Sequence, residues 1–488
     1  MATPIPTNRA AISIDDAAVA TGGTIVRHPR DPEVRAAGIV TDSRAITPGN
    51  VFVALRGETH DAHAFLDAAC RLGPAYVIVE RGRAPKDESV GVLEVDDTLV
   101  ALGALARRHL EAWRSSSAVN RVIAVTGSAG KTTTKELLAA LLGAVGPTHF
   151  TAGNLNNRVG VPFVVLGLQA EHRFAVLEMG MSLPGELDAI TSIARPDVSV
   201  VTNVGVAHAE GVGGPDGVMR EKGAVYRALH ESGVAIVNAD DERATRAAEN
   251  TRAHTIVTFG LAKNAAYRLV RREPRGVRGS LVVLATPGRE VTLQLPLPGE
   301  AAAIDLAAAL AAQETASGIV LPAETIDAEL ANIQLDGRAT VRRLAQDIVV
   351  LDDTYNANPA SMRSALATLG EIAGPRRKVA VLGEMKELGT HAEAEHDALG
   401  DAIAAAGVAL AIGCGGLISR ALMRATALGV TCLTPDSTSA AAAVATAQVR
   451  PGDAVLVKGS RSVVAERVVA ALIETWPAAA NSETSGSL

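Results

Sequence analysis

The run Thr126, Gly127, Ser128, Ala129, Gly130, Lys131, Thr132, Thr133 has the residue types of a phosphate cradle. An apolar, β-branched stretch at 121–125 leads into it, and a helix-forming stretch at 135–142 follows. Strand, glycine turn and helix start, in that order, aim backbone N–H groups at an anion. Lys131 adds a point charge, and Thr132 offers a hydroxyl oxygen to Mg²⁺, which suits a nucleoside triphosphate. The first glycine of the usual G-x-x-x-x-G-K-[ST] loop would fall on Val125, whereas the glycines here are Gly127 and Gly130. A plain glycine turn before a helix that happens to begin Lys-Thr is the competing reading. The order of the elements favours phosphate.

Other residues with chemical potential follow predicted strands. Glu178 ends the apolar run 174–177. A carboxylate there suits the Mg²⁺ of an ATP site, and the alternative is a solvent-facing glutamate where a strand leaves its sheet. His208 follows the next strand, where a lone histidine is more often structural than a ligand. Lys222 lies in a helical stretch and reads, from its neighbours alone, as a surface lysine. Asn154, Asn156 and Asn157 make a polar loop able to hydrogen-bond sugar or phosphate, or else an ordinary Asn-rich turn. Asp352 and Asp353 end a further strand, before Tyr355, Asn356, Asn358 and Pro359. Two acids and an amide-rich turn suit ribose or phosphate, while Asn358 and Pro359 fit the N-cap and first position of a helix; both readings can hold together. The glycines from Gly413 to Gly416 lack dinucleotide spacing and read as a strand-end turn.

These residues need a large scaffold. At 488 residues the chain is long enough for two to four domains. Hydrophobic residues are 48% and aromatics only 2%, so the cores must be built from Ala, Val, Leu and Ile. The net charge of −7 and the absence of a basic stripe argue against nucleic acid. Cys70, Cys414 and Cys432 are too far apart for a zinc or redox pair and fit a reducing cytoplasm. Residues 1–10 lack the apolar core of a signal peptide, and no run approaches a membrane span. The small, polar stretch 477–488 reads as a disordered tail.

The expected fold class is α/β with three domains. Residues 1–96 form a small N-terminal α/β domain, with strands at 51–55, 75–79 and 92–95, a helix at 62–72, and a polar turn at 41–44 before the first strand. Residues 97–336 form a P-loop-type ATPase domain. It opens with a helix at 99–113 capped by Asp97, and strands at 121–125, 174–177, 198–202 and 234–237 alternate with helices. That alternation implies a mainly parallel sheet with chemistry at its carboxyl edge. A small antiparallel appendage is expected at 266–295, then a helix at 301–316. Residues 337–488 form a Rossmann-like domain with strands at 348–351, 378–382, 409–412 and 454–457 and a last helix at 462–474.

The cradle, Glu178, His208, the Asp352–Pro359 motif, the Thr151-to-Asn157 loop, the segment from Phe52 to His63 and the stretch Val457 to Ser462 together resemble the Mur ligases of peptidoglycan synthesis. The resemblance covers all three regions and is more specific than the cradle alone. It implies ATP-dependent attachment of D-Ala-D-Ala to UDP-N-acetylmuramoyl-tripeptide through an acyl phosphate, in a cytoplasmic monomer. It also implies that Ser43 and Arg44 meet the uridine nucleotide, and that Asn154, Asn156, Asn157, Lys458, Ser460 and Arg461 meet substrate. Lys131 would contact phosphate, Thr132 and Glu178 would hold one Mg²⁺, and His208 would help hold a second. Lys222 aligns with a lysine that is carbamylated in several relatives. Arg338 would reach the γ-phosphate, with Asp353 and Asn356 near the nucleotide. One departure concerns adenine: Ala302 and Asp305 stand where the family usually has asparagines. Two alternatives remain: a sibling ligase of the folylpolyglutamate synthase kind with another amino-acid substrate, and a regulatory protein that binds nucleotide without turnover. The Asp352–Pro359 motif and the N-terminal segment argue against the first, and the retained Lys131, Thr132 and Glu178 against the second.

Overall fold

The computed structural model describes residues 3–30, 37–57, 59–205, 209–333 and 335–477. The polar tail expected at 477–488 lies outside them from residue 478 onward, and so does His208. Among the described residues, no helix is long and apolar enough to cross a membrane.

Three sheets organise the chain, of five, nine and six strands. In the first, Thr24–Arg27 pairs antiparallel with Gly91–Val95 and the remaining pairs are parallel. The expected helix at 62–72 is instead a 3₁₀ turn, Ala62–Phe65, followed by the short helix Leu66–Cys70. Asp61 explains the tight start: its carboxylate accepts the His63 backbone N–H at 3.0 Å and the His63 ring Nδ1–H at 2.7 Å. The polar turn at 41–44 precedes the strand Val51–Val53 as expected, and itself follows a two-residue strand, Ile39–Val40, that the sequence did not show. The long helix Thr98–Ser116 begins where expected, with Asp97 accepting from the Leu99 and Val100 N–H groups.

The central sheet positions the cradle. Its middle strands are β1 (Arg121–Thr126), β2 (Phe174–Glu178) and β3 (Val198–Val201), with β1 parallel to both of the others. Every residue of β2 and β3 is buried. Such strands read as unbroken apolar runs because helices cover both faces. After β1 the chain turns into helix α1 (Lys131–Gly143). Helix α2 (Gly214–Lys222) follows β3, and α3 (Glu300–Ser317) lies against α1. Nine alanines and leucines of α3, at 303 and 306–312 among them, are in its buried set; small side chains allow close packing at little loss of helix propensity. The antiparallel segment is not a separate appendage. Tyr267–Pro274 joins the parallel strand Thr255–Gly260, so the strands through Leu295 extend the central sheet.

In the third sheet, β4 (Val349–Asp353) pairs parallel with β5 (Ala454–Lys458), and helix α4 (Pro359–Ala373) follows β4. Asn358 caps α4, accepting the Ser361 N–H at 2.9 Å while the Ser361 hydroxyl accepts the Asn358 N–H at 3.0 Å. Pro359 at the first helical position needs no hydrogen-bond acceptor there. The expected last helix starts later, at Glu466, after a 3₁₀ turn Arg461–Val463. Gly415 and Gly416 have positive φ, as a strand-end turn requires.

Candidate active site

A cleft of about 550 Å³ opens between the carboxyl edge of the central sheet and the third domain. It takes Ser128 to Lys131 and Thr133 from the cradle, Asn154, Asn156, Asn157 and Glu178 from the loop and strand beside it, and Arg338, Asp353, Asn356 and Lys458 from the third domain. The sequence motifs therefore meet in one place although they lie hundreds of residues apart.

The cradle follows from its glycines. A Cβ at Gly127 would sit 1.8 Å from the Thr202 hydroxyl oxygen, so only glycine lets the loop pass the neighbouring strand end. Gly130 takes φ 80° as the N-cap of α1, and no side chain caps that helix. The first N–H groups of a helix lack intrahelical acceptors, so this end is built to receive an anion. Ser128 and Ala129 contribute less backbone than the motif suggests: their N–H groups are taken by the Asn203 carbonyl at 3.0 Å and its side-chain oxygen at 2.9 Å. Thr126 is buried beneath the loop, with its hydroxyl donating to the Met179 carbonyl at 2.7 Å. Lys131 folds back to donate to the Gly127 carbonyl at 2.9 Å. Burial holds its ammonium below the ordinary lysine range; Glu178 opposes that shift and Arg338 adds to it.

Glu178 is not solvent-facing. It is 1% exposed, and its two oxygens accept from Thr132 Oγ1 at 2.6 Å and Asn156 Nδ2 at 2.7 Å. A hard-oxygen pair beside a phosphate cradle fits Mg²⁺, which prefers one or two carboxylates and completes its shell with phosphates and water. Among the described residues, no group of three or more His, Cys, Asp and Glu side chains could hold a metal by itself.

Lys222 overturns the surface-lysine expectation. It ends α2 at 1% exposure, on the face of the helix that also buries Gly217, Val218 and Glu221, and it does not line the cleft. Burial pushes its ammonium well below the ordinary range, and the nearby Lys131 charge adds to the push. No acidic partner reaches it among the described residues.

Strand alternation separates the two acids of β4. Asp352 is 4% exposed and tied to Arg342 Nε at 3.0 Å and the Thr354 hydroxyl at 2.8 Å, a structural role. Asp353 faces the cleft and pairs with the buried Lys458 at 2.5 Å, which also donates to the Asn356 carbonyl at 2.8 Å. Arg338 stacks its guanidinium 3.7 Å from the centre of the Tyr355 ring. Asn358 reaches across the cleft to donate to the Ser128 carbonyl at 3.3 Å. Ser460 is buried, and Arg461 pairs with Glu466 at 3.0 Å; neither lines the cleft. Ser43 and Arg44 lie apart on the first domain, with Arg44 paired to Asp42 at 2.7 Å. That pairing, mostly through hydrogen bonds from Arg44, holds the Asp42 carboxyl below its usual range.

Asp305 lines the same cleft and was legible only as a departure from pattern. Its carboxyl fills the space beside Gly130, where a Cβ would meet Oδ1 at 2.4 Å. It is 7% exposed. Burial raises its pKa to about 8, against weaker lowering by Thr134 and Arg338. A carboxyl that stays protonated at neutral pH presents one donor and one acceptor, much as an asparagine side chain does.

Comparison with known proteins agrees with this geometry. Residues 125–313 match the Mur ligase middle domain, and residues 337–461 match the Mur ligase glutamate ligase domain. The chain is 38% identical over 440 residues to the UDP-N-acetylmuramoyl-tripeptide–D-alanyl-D-alanine ligase of Escherichia coli K12, covering 89% of this chain and 93% of that one. Its fold superposes on MurF of Acinetobacter baumannii with a TM-score of 0.84 at 34% identity, over 97% of this chain and all of that one. MurF of Thermotoga maritima, solved with ADP, superposes with a TM-score of 0.78 at 29% identity, over 90% of this chain and 97% of that one.

Proposed function

The chain belongs to the Mur ligase family, and from that premise we propose a division of labour within its cleft. It is an ATP-dependent ligase that adds D-alanyl-D-alanine to UDP-N-acetylmuramoyl-tripeptide, giving the pentapeptide precursor of peptidoglycan. The observation that carries the division is the Thr132–Glu178 pair, 2.6 Å apart, beneath an uncapped helix N-terminus that also bears Lys131.

A carboxylate is a poor acyl donor because its charge repels nucleophiles and oxide is a poor leaving group. The tripeptide's terminal carboxylate oxygen therefore attacks the γ-phosphorus of ATP. The bond to the β,γ-bridging oxygen breaks, and ADP leaves. The neutral amine of D-Ala-D-Ala then attacks the acyl phosphate carbon, and inorganic phosphate leaves as the amide forms and the amine nitrogen gives up its proton. Amides at the start of α1 cradle the phosphates, and Lys131 swings from the Gly127 carbonyl onto the transferring group, where charge develops. Thr132 and Glu178 would hold Mg²⁺, which when bound offsets negative charge on the phosphates. Arg338 approaches the γ-phosphate from the third domain, and Asp353 and Asn356 approach the nucleotide from the same side. The Asn358–Ser128 contact closes the two domains over the acyl phosphate, which must be kept from water.

Lys222 is proposed to carry a carbamate that, with His208, supports a second Mg²⁺. Burial disfavours the charged form of this amine and no acidic partner among the described residues opposes that, and the neutral amine is the form that adds CO₂, releasing one proton. Incubation with ¹³CO₂ should give a carbamate carbon signal that Lys222→Met lacks. Ser43 and Arg44 are assigned to the uridine nucleotide, in keeping with a cytoplasmic monomer whose three regions, 1–96, 97–336 and 337–488, each bring one substrate. Mass spectrometry of the product formed from UDP-N-acetylmuramoyl-tripeptide, D-Ala-D-Ala, ATP and Mg²⁺ tests the activity. Extension by the dipeptide is expected; extension by a single amino acid or by glutamate would assign the chain to a sibling activity.

A further inference from the structure

One buried cation beside the cleft has no part in the scheme above. Lys135 lies a turn beyond Lys131 on α1, with its side chain fully buried and its ammonium 5.3 Å from the centre of the Phe150 ring. The ammonium is paired with Glu136 and donates to the Thr151 carbonyl at 2.7 Å. Thr151 is itself fully buried and sits at a junction. Its N–H donates to the Val176 carbonyl at 3.0 Å, and its hydroxyl accepts the Glu178 N–H at 2.9 Å. The loop leaving Thr151 carries Asn156, which donates to Glu178 Oε1 at 2.7 Å. Placing an ammonium in such a core is unfavourable unless its hydrogen bonds are made, and a Met would fill the space without that penalty.

We infer that Lys135 is a positioning residue for the phosphate and metal site: it holds Thr151, and through Thr151 it fixes both the backbone of Glu178 and the loop that presents Asn156 to it. The inference rests on the reading that Thr132 and Glu178 hold Mg²⁺. Lys131 and Lys135 then divide two tasks along one helix, the first acting on phosphate and the second on the geometry of the carboxylate. Without Lys135, the Thr151 carbonyl loses its donor and the carboxylate loses its fixed setting. Outer groups of this kind commonly tune metal affinity.

Binding of a fluorescent ADP analogue, titrated with and without Mg²⁺, tests this apart from turnover. Wild-type affinity should rise when Mg²⁺ is added. Lys135→Met should lose about tenfold or more of the Mg²⁺-supported affinity while metal-free affinity stays within about twofold. Lys135→Arg, which can still donate to the Thr151 carbonyl, should recover most of it. Thr151→Val, which removes the acceptor for the Glu178 N–H, should reproduce the selective loss, and the double variant should add little further. A Lys135→Met protein with a lower melting temperature but an unchanged Mg²⁺ response would overturn the inference. If Lys135→Met does not fold, an unchanged response in Thr151→Val would do the same. A wild-type protein whose nucleotide affinity ignores Mg²⁺ would instead remove the metal reading, and the inference with it.

Discussion

Asp305 and Lys222 are ionisable groups that burial drives toward neutrality, one from each sign of charge. For Asp305 the consequence for stability has a definite sign. The unfolded carboxyl titrates near 3.8 and the folded one at about 8, so between these values the folded state holds a proton that the unfolded state has lost. Stability therefore falls as pH rises through that window and levels off above it. Asp305→Asn cannot ionise, so its melting temperature should exceed that of the wild type by more at pH 8 than at pH 5. Equal differences at both values would contradict the protonated-carboxyl account. Lys131 differs in kind, since its ammonium is used on the substrate. Lys131→Ala should lower kcat/KM for ATP by about 10²-fold or more, as removal of a charge-stabilising donor does, with little change in melting temperature. Steady-state rates and thermal unfolding measured together check both halves. Lys131 was legible because its spacing from Gly130 and Thr132 is chemical; burial of Lys222 was not, because a lone lysine in a helical run carries no sign of which face turns inward.

At the scale of elements, the strands of the three sheets were readable where both faces are covered, as in β2 and β4, since continuous apolar runs bounded by polar turns leave little choice. Short or edge strands such as Ile39–Val40 and Thr340–Arg343 escaped notice, because two to four residues carry no periodicity. The segment at 266–295 showed its antiparallel alternation but not its attachment, which depends on two residue pairs between Phe259–Gly260 and Tyr267–Arg268. Helix α4 has a cap with two duties. Asn358→Ala should destabilise the third domain by about 1 kcal/mol through the lost cap. It should also raise KM for ATP, because the contact with the Ser128 carbonyl goes with it. Asn358→Ser keeps the cap and removes the contact, so it should keep the stability and show only the KM effect; an unchanged KM in both variants would limit Asn358 to capping.

For the whole molecule, the relation between central and third domains matters most, because the cleft takes residues from both. The antiparallel extension of the central sheet contributes to that relation. Arg272, on its first strand, makes a bidentate pair with Glu371 of α4, one arm at 2.8 Å, with both side chains largely buried. Arg272→Ala leaves Glu371 without this partner and should loosen the domains. A larger radius of gyration by small-angle scattering, together with a higher KM for ATP, is expected; an unchanged radius would place domain coupling elsewhere. The central claim is that the γ-phosphoryl group passes to the tripeptide carboxylate before the amide forms. The most direct test uses UDP-N-acetylmuramoyl-tripeptide with ¹⁸O in its terminal carboxylate, D-Ala-D-Ala, ATP and Mg²⁺, followed by mass analysis of the phosphate released. Phosphate carrying one ¹⁸O atom is predicted. Unlabelled phosphate, formed as the amide forms, would contradict the account.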